Sequence, residues 1–195
     1  MCIPKPGRNS YSGPRDYRPI SLTSFLLKTL ERLVDRYLRD KALALVPLLS
    51  NQHAYQAGKL AETAHQLVWV EKSLDQQEMA LGVFLDIEGA FNNTCYNTVC
   101  DALVKHSSEY TIVLWIRATL EGCVAVATLG GSSARLVISR VCLQVGVLSP
   151  LLWCLLVDDL LSRLSESGVF ILGYADDICL LAVGKFPNMV SGLMQ

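Results

Sequence analysis

The chain has no C-x-x-C pair, although it holds seven cysteines, at positions 2, 95, 100, 123, 142, 154 and 179. An odd count at irregular spacing argues against a disulfide framework and against structural zinc. It fits the reduced, mostly buried thiols of an intracellular protein. The three histidines, His53, His65 and His106, are scattered without ligand spacing. No Walker-type glycine loop is present and no Ser-His-Asp or Cys-His nucleophile is legible, which removes the P-loop enzymes and the common acyl-transfer hydrolases. A long apolar run is also missing. The longest stretch without charge, Val141 to Val157, contains Gln144, Gly146, Ser149 and Pro150, and Asp158 and Asp159 follow it directly. It reads as a buried loop and helix, so no membrane span is expected. The start, MCIPKPGRNS, lacks the apolar core of a signal peptide.

What is present is apolar bulk: 51% of 195 residues are hydrophobic, enough for a sizeable core in one domain or two intimately packed subdomains. The net charge of −1 conceals an uneven distribution. Residues 1–41 hold nine Lys/Arg and four acids, a balance of +5, and the remainder carries −6. A basic segment ahead of an acidic one suits a cleft that holds nucleic acid on one side, and Arg32, Arg36 and Arg39 read equally as a solvated helix face. With a pI near 6.3, affinity for phosphate backbone should be weak and salt-dependent. Patterning predicts an extended Pro/Gly/Ser-rich lead-in through Pro19 and helices over about 22–45, 60–76, 94–106, 110–120 and 149–165. A buried strand is expected over Met79–Ile87, and a hairpin joins 123–129 to 134–138 through Gly130-Gly131-Ser132-Ser133. Asp158 and Asp159, inside the last helix, are expected on its polar face.

The most informative stretch is YADDICLL, Tyr174 to Leu181. FILGYA and ICLLAV read as buried strands, and Ala-Asp-Asp makes the hairpin tip that joins them. Asp176 and Asp177 there read alone as solvated turn chemistry, since Asp favours turns. A second acid alters that balance. MALGVFLDIEGAF is a β-like run that ends at Asp86 and turns helix-compatible after Gly89. Ionised carboxylates against apolar strands are costly without a cation, and acids from a strand end and a hairpin tip can hold two hard divalent ions that clamp an in-line phosphoryl transfer.

With these motifs in order, the chain resembles the reverse transcriptases of non-LTR (LINE-type) retrotransposons over nearly its whole length, as a partial domain with fingers and palm only. KPG (5–7) and RPISLTS (18–24) look like two fingers motifs, QHAYQAGKLAETA (52–64) like the block leading into the palm, FLDIEGAF (84–91) like the first catalytic motif, VGVLSPLLWCLLVDDLL (145–161) like the template-facing loop and its helix, and YADD like the second catalytic motif. The resemblance implies an α+β fold, a small antiparallel palm sheet with helices on one face plus incomplete fingers. It divides the chain into a fingers-like segment, 1–78, and a palm-like segment, 79–195, and implies that both ends are cut. It also implies catalytic and metal-binding roles for Asp86, Asp176 and Asp177, with the Ile87 carbonyl as a further ligand to Mg²⁺, or Mn²⁺ as the alternative. Nucleotide-binding roles fall to Lys5, Arg18, Phe91 and Gln144, Phe91 being the steric gate against a ribose 2′-hydroxyl. Read alone, Lys5 and Arg18 are surface charges, Phe91 is a core aromatic and Gln144 a polar residue in an apolar segment.

The implied function is RNA-directed DNA polymerisation, with an RNA template, a DNA primer and deoxynucleoside triphosphates as partners, and nuclear action. The alternative is a catalytically inactive remnant or a weak nucleic-acid-binding fragment. It rests on the loop Cys142 to Pro150, where Leu143 replaces a family proline and Val145 a family glycine. Asn92 likewise stands where the family commonly has aspartate. A palm-type nucleotide cyclase shares the metal chemistry, yet would need neither the segment Arg18–Ser24 nor a template loop.

Overall fold

The computed structural model describes residues 2–7, 10–13, 16–19, 23–59, 66–87, 93–129, 132–137, 146–166 and 169–193. The chain divides into two compact units, Met1–Leu45 with Phe91–Leu152, and Val46–Ala90 with Trp153–Gln195. Helices and antiparallel strands make up both, as an α+β fold requires. No helix among the described residues is long and apolar enough to cross a membrane.

In the first unit, β1 (Cys2–Pro4) and β2 (Tyr17–Pro19) pair antiparallel with Ile3 opposite Arg18. Helix α1 (Phe25–Tyr37) begins after Ser24, whose side chain accepts the Leu27 N–H at 3.2 Å, an N-cap that satisfies one of the free amides of the first turn. A π-helical turn, Leu38–Ala42, and the short α2 (Leu43–Leu45) carry the helical run to the length expected before Pro47. Arg32 and Arg36 are exposed and Arg39 pairs with Asp35 at 3.0 Å, so the basic positions do form a solvated face. Helices α4 (Tyr96–Lys105) and α5 (Tyr110–Glu121) pack together through Val99, Ala102 and Leu103 on one and Val113, Ile116 and Leu120 on the other, the spacing of one buried helical stripe. Strands β4 (Val124–Leu129) and β5 (Ser132–Val137) form a hairpin of their own. Strand β5 starts at Ser132, two residues before the expected boundary, because serine continues the ladder that Gly130-Gly131 interrupts in sequence.

The second unit is built on a three-stranded antiparallel sheet in the order β3 (Met79–Asp86), β7 (Asp177–Gly184), β6 (Phe170–Tyr174). Helix α6 (Ser149–Ser165), with Pro150 in its first turn, contributes its residues from Trp153 onward, and α3 (Gln66–Asp75) and α7 (Pro187–Leu193) complete the unit. Alternation along β6 and β7 puts Leu172, Cys179 and Leu181 on one face, where Val70 of α3 packs against them. Gly173 lies on the other face, where a Cβ would stand 2.8 Å from Leu161 Cδ1 of α6. Helices therefore lie on both faces, not on one.

Two further expectations are corrected here. Strand β3 is not buried: Met79, Leu81, Phe84 and Leu85 are exposed, and among the described residues its one ladder is to β7. Asp158 does not sit on a polar face. It is buried, and its Oδ1 accepts the Leu49 N–H at 2.7 Å, while Asp159 pairs with Arg163 at 2.9 Å.

Candidate active site

Tyr174 pairs with Asp177, so two residues, Ala175 and Asp176, connect β6 to β7. The three-residue tip expected from the sequence is a two-residue turn, and Asp177 opens a strand. Ala175 has φ 57°. A positive φ at the first central position is what such hairpins demand and what glycine supplies most easily, so alanine there costs about 1–2 kcal/mol. The turn is held from outside: the Trp153 indole N–H of α6 donates to the Ala175 carbonyl at 2.7 Å.

Across the sheet Asp86 stands opposite Asp177. The Ile87 N–H donates to the Asp176 carbonyl at 3.3 Å, which makes Asp86 and Asp177 a non-hydrogen-bonded pair, with Cα atoms about 4.5 Å apart and side chains on the same face. Asp176, half-buried, occupies the turn, and Asp86 and Asp177 are exposed. Burial of these acids, expected from the apolar sequence around them, is therefore not what calls for a cation. The demand comes from two like charges held face to face, a repulsion of about 1 kcal/mol at roughly 5 Å even in water.

Among the described residues, no three His, Cys, Asp or Glu side chains converge into a metal cage. Mg²⁺ rarely uses one; it binds through one or two carboxylates and completes its shell with waters and substrate phosphates. An opposed pair of carboxylates, a third at the adjoining turn and the backbone oxygen of Ile87 beside Asp86 supply only hard oxygen donors. That set fits Mg²⁺ or Mn²⁺ and is unsuited to zinc.

The segment 49–59 supports the hairpin. Gln52 and Gly173 form a parallel bridge, in which the His53 N–H donates to the Gly173 carbonyl at 2.9 Å and the Gly173 N–H to the Asn51 carbonyl at 3.0 Å. The buried Gln52 amide donates to the Cys154 carbonyl at 3.0 Å. Lys59 Nζ donates to the carbonyls of Ser50 and Gln52, each at 2.8 Å. Burial lowers the Lys59 amine from its ordinary range, and the Asp158 carboxylate opposes that shift. Gln52, Trp153 and Gly173 were not among the residues singled out from sequence. One signal pointed to Gly173, since glycine inside a strand pattern marks a close approach.

The remaining candidates divide. Lys5 follows β1, and its N–H donates to the Asp16 carbonyl at 2.8 Å, so Lys5 and Arg18 belong to one small antiparallel pair. Phe91 and Gln144 lie outside the described residues, as do Leu143, Val145 and Asn92. The end of the Gln144 loop is described from Gly146. There the Val147 N–H donates at 2.7 Å to the buried carboxylate of Glu31, a tether between α1 and the loop that sequence reading missed.

The chain is 31% identical over 168 residues to a "Retrovirus-related Pol polyprotein from type-1 retrotransposable element R1" of Bradysia coprophila, covering 85% of this chain and 16% of that protein. It is 27% identical to the corresponding R2 protein of Popillia japonica, covering 92% of this chain and 26% of the relative. It is 30% identical over its full length to a "Probable RNA-directed DNA polymerase from transposon BS" of Drosophila melanogaster, of which it spans 22%. The chain thus spans roughly a sixth to a quarter of these relatives. Among solved structures, apo telomerase from Candida tropicalis shares the fold with a TM-score of 0.58 at 10% identity, over 87% of this chain and 33% of that one. The family model for "Reverse transcriptase (RNA-dependent DNA polymerase)" matches residues 3–188, which takes in the β1–β2 pair, the opposed aspartates and their hairpin, and the chain belongs to that family.

Proposed function

We propose that this chain is the fingers and palm portion of an RNA-directed DNA polymerase whose centre is the sheet end formed by Asp86, Asp176 and Asp177. The observation that supports it most directly is the cross-strand opposition of Asp86 and Asp177 beside a two-residue turn that carries Asp176. In this reading the three carboxylates and the Ile87 carbonyl hold Mg²⁺. When bound, the metal makes the primer 3′-hydroxyl more acidic and neutralises charge on the phosphates. The hydroxyl oxygen forms a bond to the α-phosphorus of a deoxynucleoside triphosphate as the bond to pyrophosphate breaks. Lys5 and Arg18 steady the triphosphate, Phe91 excludes a 2′-hydroxyl, and Gln144 contacts the incoming nucleotide. An RNA template, a DNA primer and nuclear action accompany the reading.

The second reading, an inactive remnant that binds nucleic acid weakly, is favoured by Leu143 and Val145 in the loop. Mg²⁺-dependent primer extension on an RNA template decides between them. Under the first reading the unaltered chain extends and Asp176→Asn abolishes extension. Extension that survives in Asp176→Asn would sink the site assignment. Extension only in a Leu143→Pro/Val145→Gly variant would support the remnant.

A further inference from the structure

Tyr55 is an aromatic residue with φ 58°, a conformation that bulky side chains rarely adopt and that persists only where the surroundings impose it. Its ring is not sequestered: the residue is 45% exposed. The surroundings that fix it are specific. The parallel bridge between Gln52 and Gly173 sets the two segments running the same way. Consecutive residues of α6 then tie down the next positions of each: Cys154 Sγ donates to the Ala54 carbonyl at 3.5 Å and Trp153 Nε1 to the Ala175 carbonyl at 2.7 Å. The residues that follow those two carbonyls are Tyr55 and Asp176, so the double clamp anchors both to neighbouring residues of one helix. Consistent with that placement, partial burial, the Asp176 carboxylate and Tyr174 together raise the Tyr55 hydroxyl above its ordinary range.

We infer that Tyr55 is a substrate-contacting residue of the polymerase site, its ring packing against a nucleoside held next to Asp176. This rests on the polymerase reading. Beside a phosphoryl-transfer centre the ring offers a flat apolar surface for a base or deoxyribose. The nucleoside is either the incoming deoxynucleotide or the terminal pair of the primer and template.

Tyr55→Gly separates a contact role from a structural one, because glycine adopts the positive φ without cost. In the full chain, Tyr55→Gly should stay folded at the assay temperature, relief of the positive φ offsetting part of the lost burial and the unfolded-chain entropy, and yet weaken substrate handling by about tenfold, the loss typical of one removed base–aromatic contact. Tyr55→Phe should match the unaltered chain in both. If the KM for deoxynucleoside triphosphate rises while the Kd for a fluorescent primer–template duplex stays constant, the nucleoside is the incoming one; the opposite pattern assigns the primer–template end. A Tyr55→Gly chain with unchanged KM and Kd overturns the inference while leaving the polymerase reading intact, provided Asp176→Asn in parallel abolishes extension. Failure of the unaltered chain to bind or extend overturns both together.

Discussion

Two hairpins of similar apolar sequence fare differently in this protein. In β6–β7, Ile171, Leu172, Ile178, Cys179, Leu181 and Ala182 are buried; in β4–β5, Val126, Leu136 and Val137 are exposed. Both are antiparallel, and in both two residues separate the strands. What differs is the number of layers. The β6–β7 pair has a third strand beside it, Leu161 of α6 against one face and Val70 of α3 against the other, whereas among the described residues β4–β5 is a sheet of two strands. An apolar hairpin becomes core only when something covers it, since a two-stranded hairpin is marginal by itself. Asp176 and Asp177 sit on the hairpin that is covered, and the ladder from β7 to β3 sets Asp86 opposite Asp177.

This contrast can be broken at several points. The largest effect should come from Ile178→Ala, which removes a residue 2% exposed: about 2–5 kcal/mol of unfolding free energy, read by urea denaturation. Trp153→Phe keeps an aromatic ring but deletes the donor to the Ala175 carbonyl and leaves part of the buried indole's volume unfilled, and a loss of about 1–3 kcal/mol is expected. A fall in primer extension larger than that stability loss explains would mark the turn's position as functionally important. Gly173→Ala should cost roughly 1–2 kcal/mol, because the added methyl would meet the Leu161 side chain at 2.8 Å and that side chain would have to leave its packed position. Ala175→Gly should stabilise by up to about 1 kcal/mol, relief of the positive φ being partly offset by unfolded-chain entropy. At the small end, Leu136→Ala in the exposed hairpin should stay within about 0.5 kcal/mol of the unaltered chain. A cost there as large as at Ile178 would show that β4–β5 is covered in solution and would end the comparison.

Legibility followed the same physical line. The periodicity of Tyr110–Glu121 and Ser149–Ser165 and the strand character of Met79–Asp86 and Asp177–Gly184 were readable, because local propensity and apolar spacing agree in those segments. The short helix α7 was missed; proline at its start and glycine within it mask a helical signal. Burial was read less well. Strand β3 looks core-like residue by residue, yet among the described residues it lies at a sheet edge. Asp158 looks like surface polarity, yet it is buried and caps Leu49. Asp86, Asp176 and Asp177 were legible as candidates because charge interrupts apolar runs there. Tyr55 and Trp153 were not, since nothing local distinguishes them from ordinary aromatics.

Residue type and short-range spacing were enough to read the family, the order of its motifs, the longer helices and strands, and which acids are candidates. Tertiary contacts set Asp86 opposite Asp177, tie the strained alanine turn to Trp153, and clamp Ala54 and Ala175, the residues before Tyr55 and Asp176, through consecutive residues of α6. Those facts depend on register and on hydrogen bonds between residues from 22 to 100 positions apart, where no local pattern in the chain can specify which groups meet.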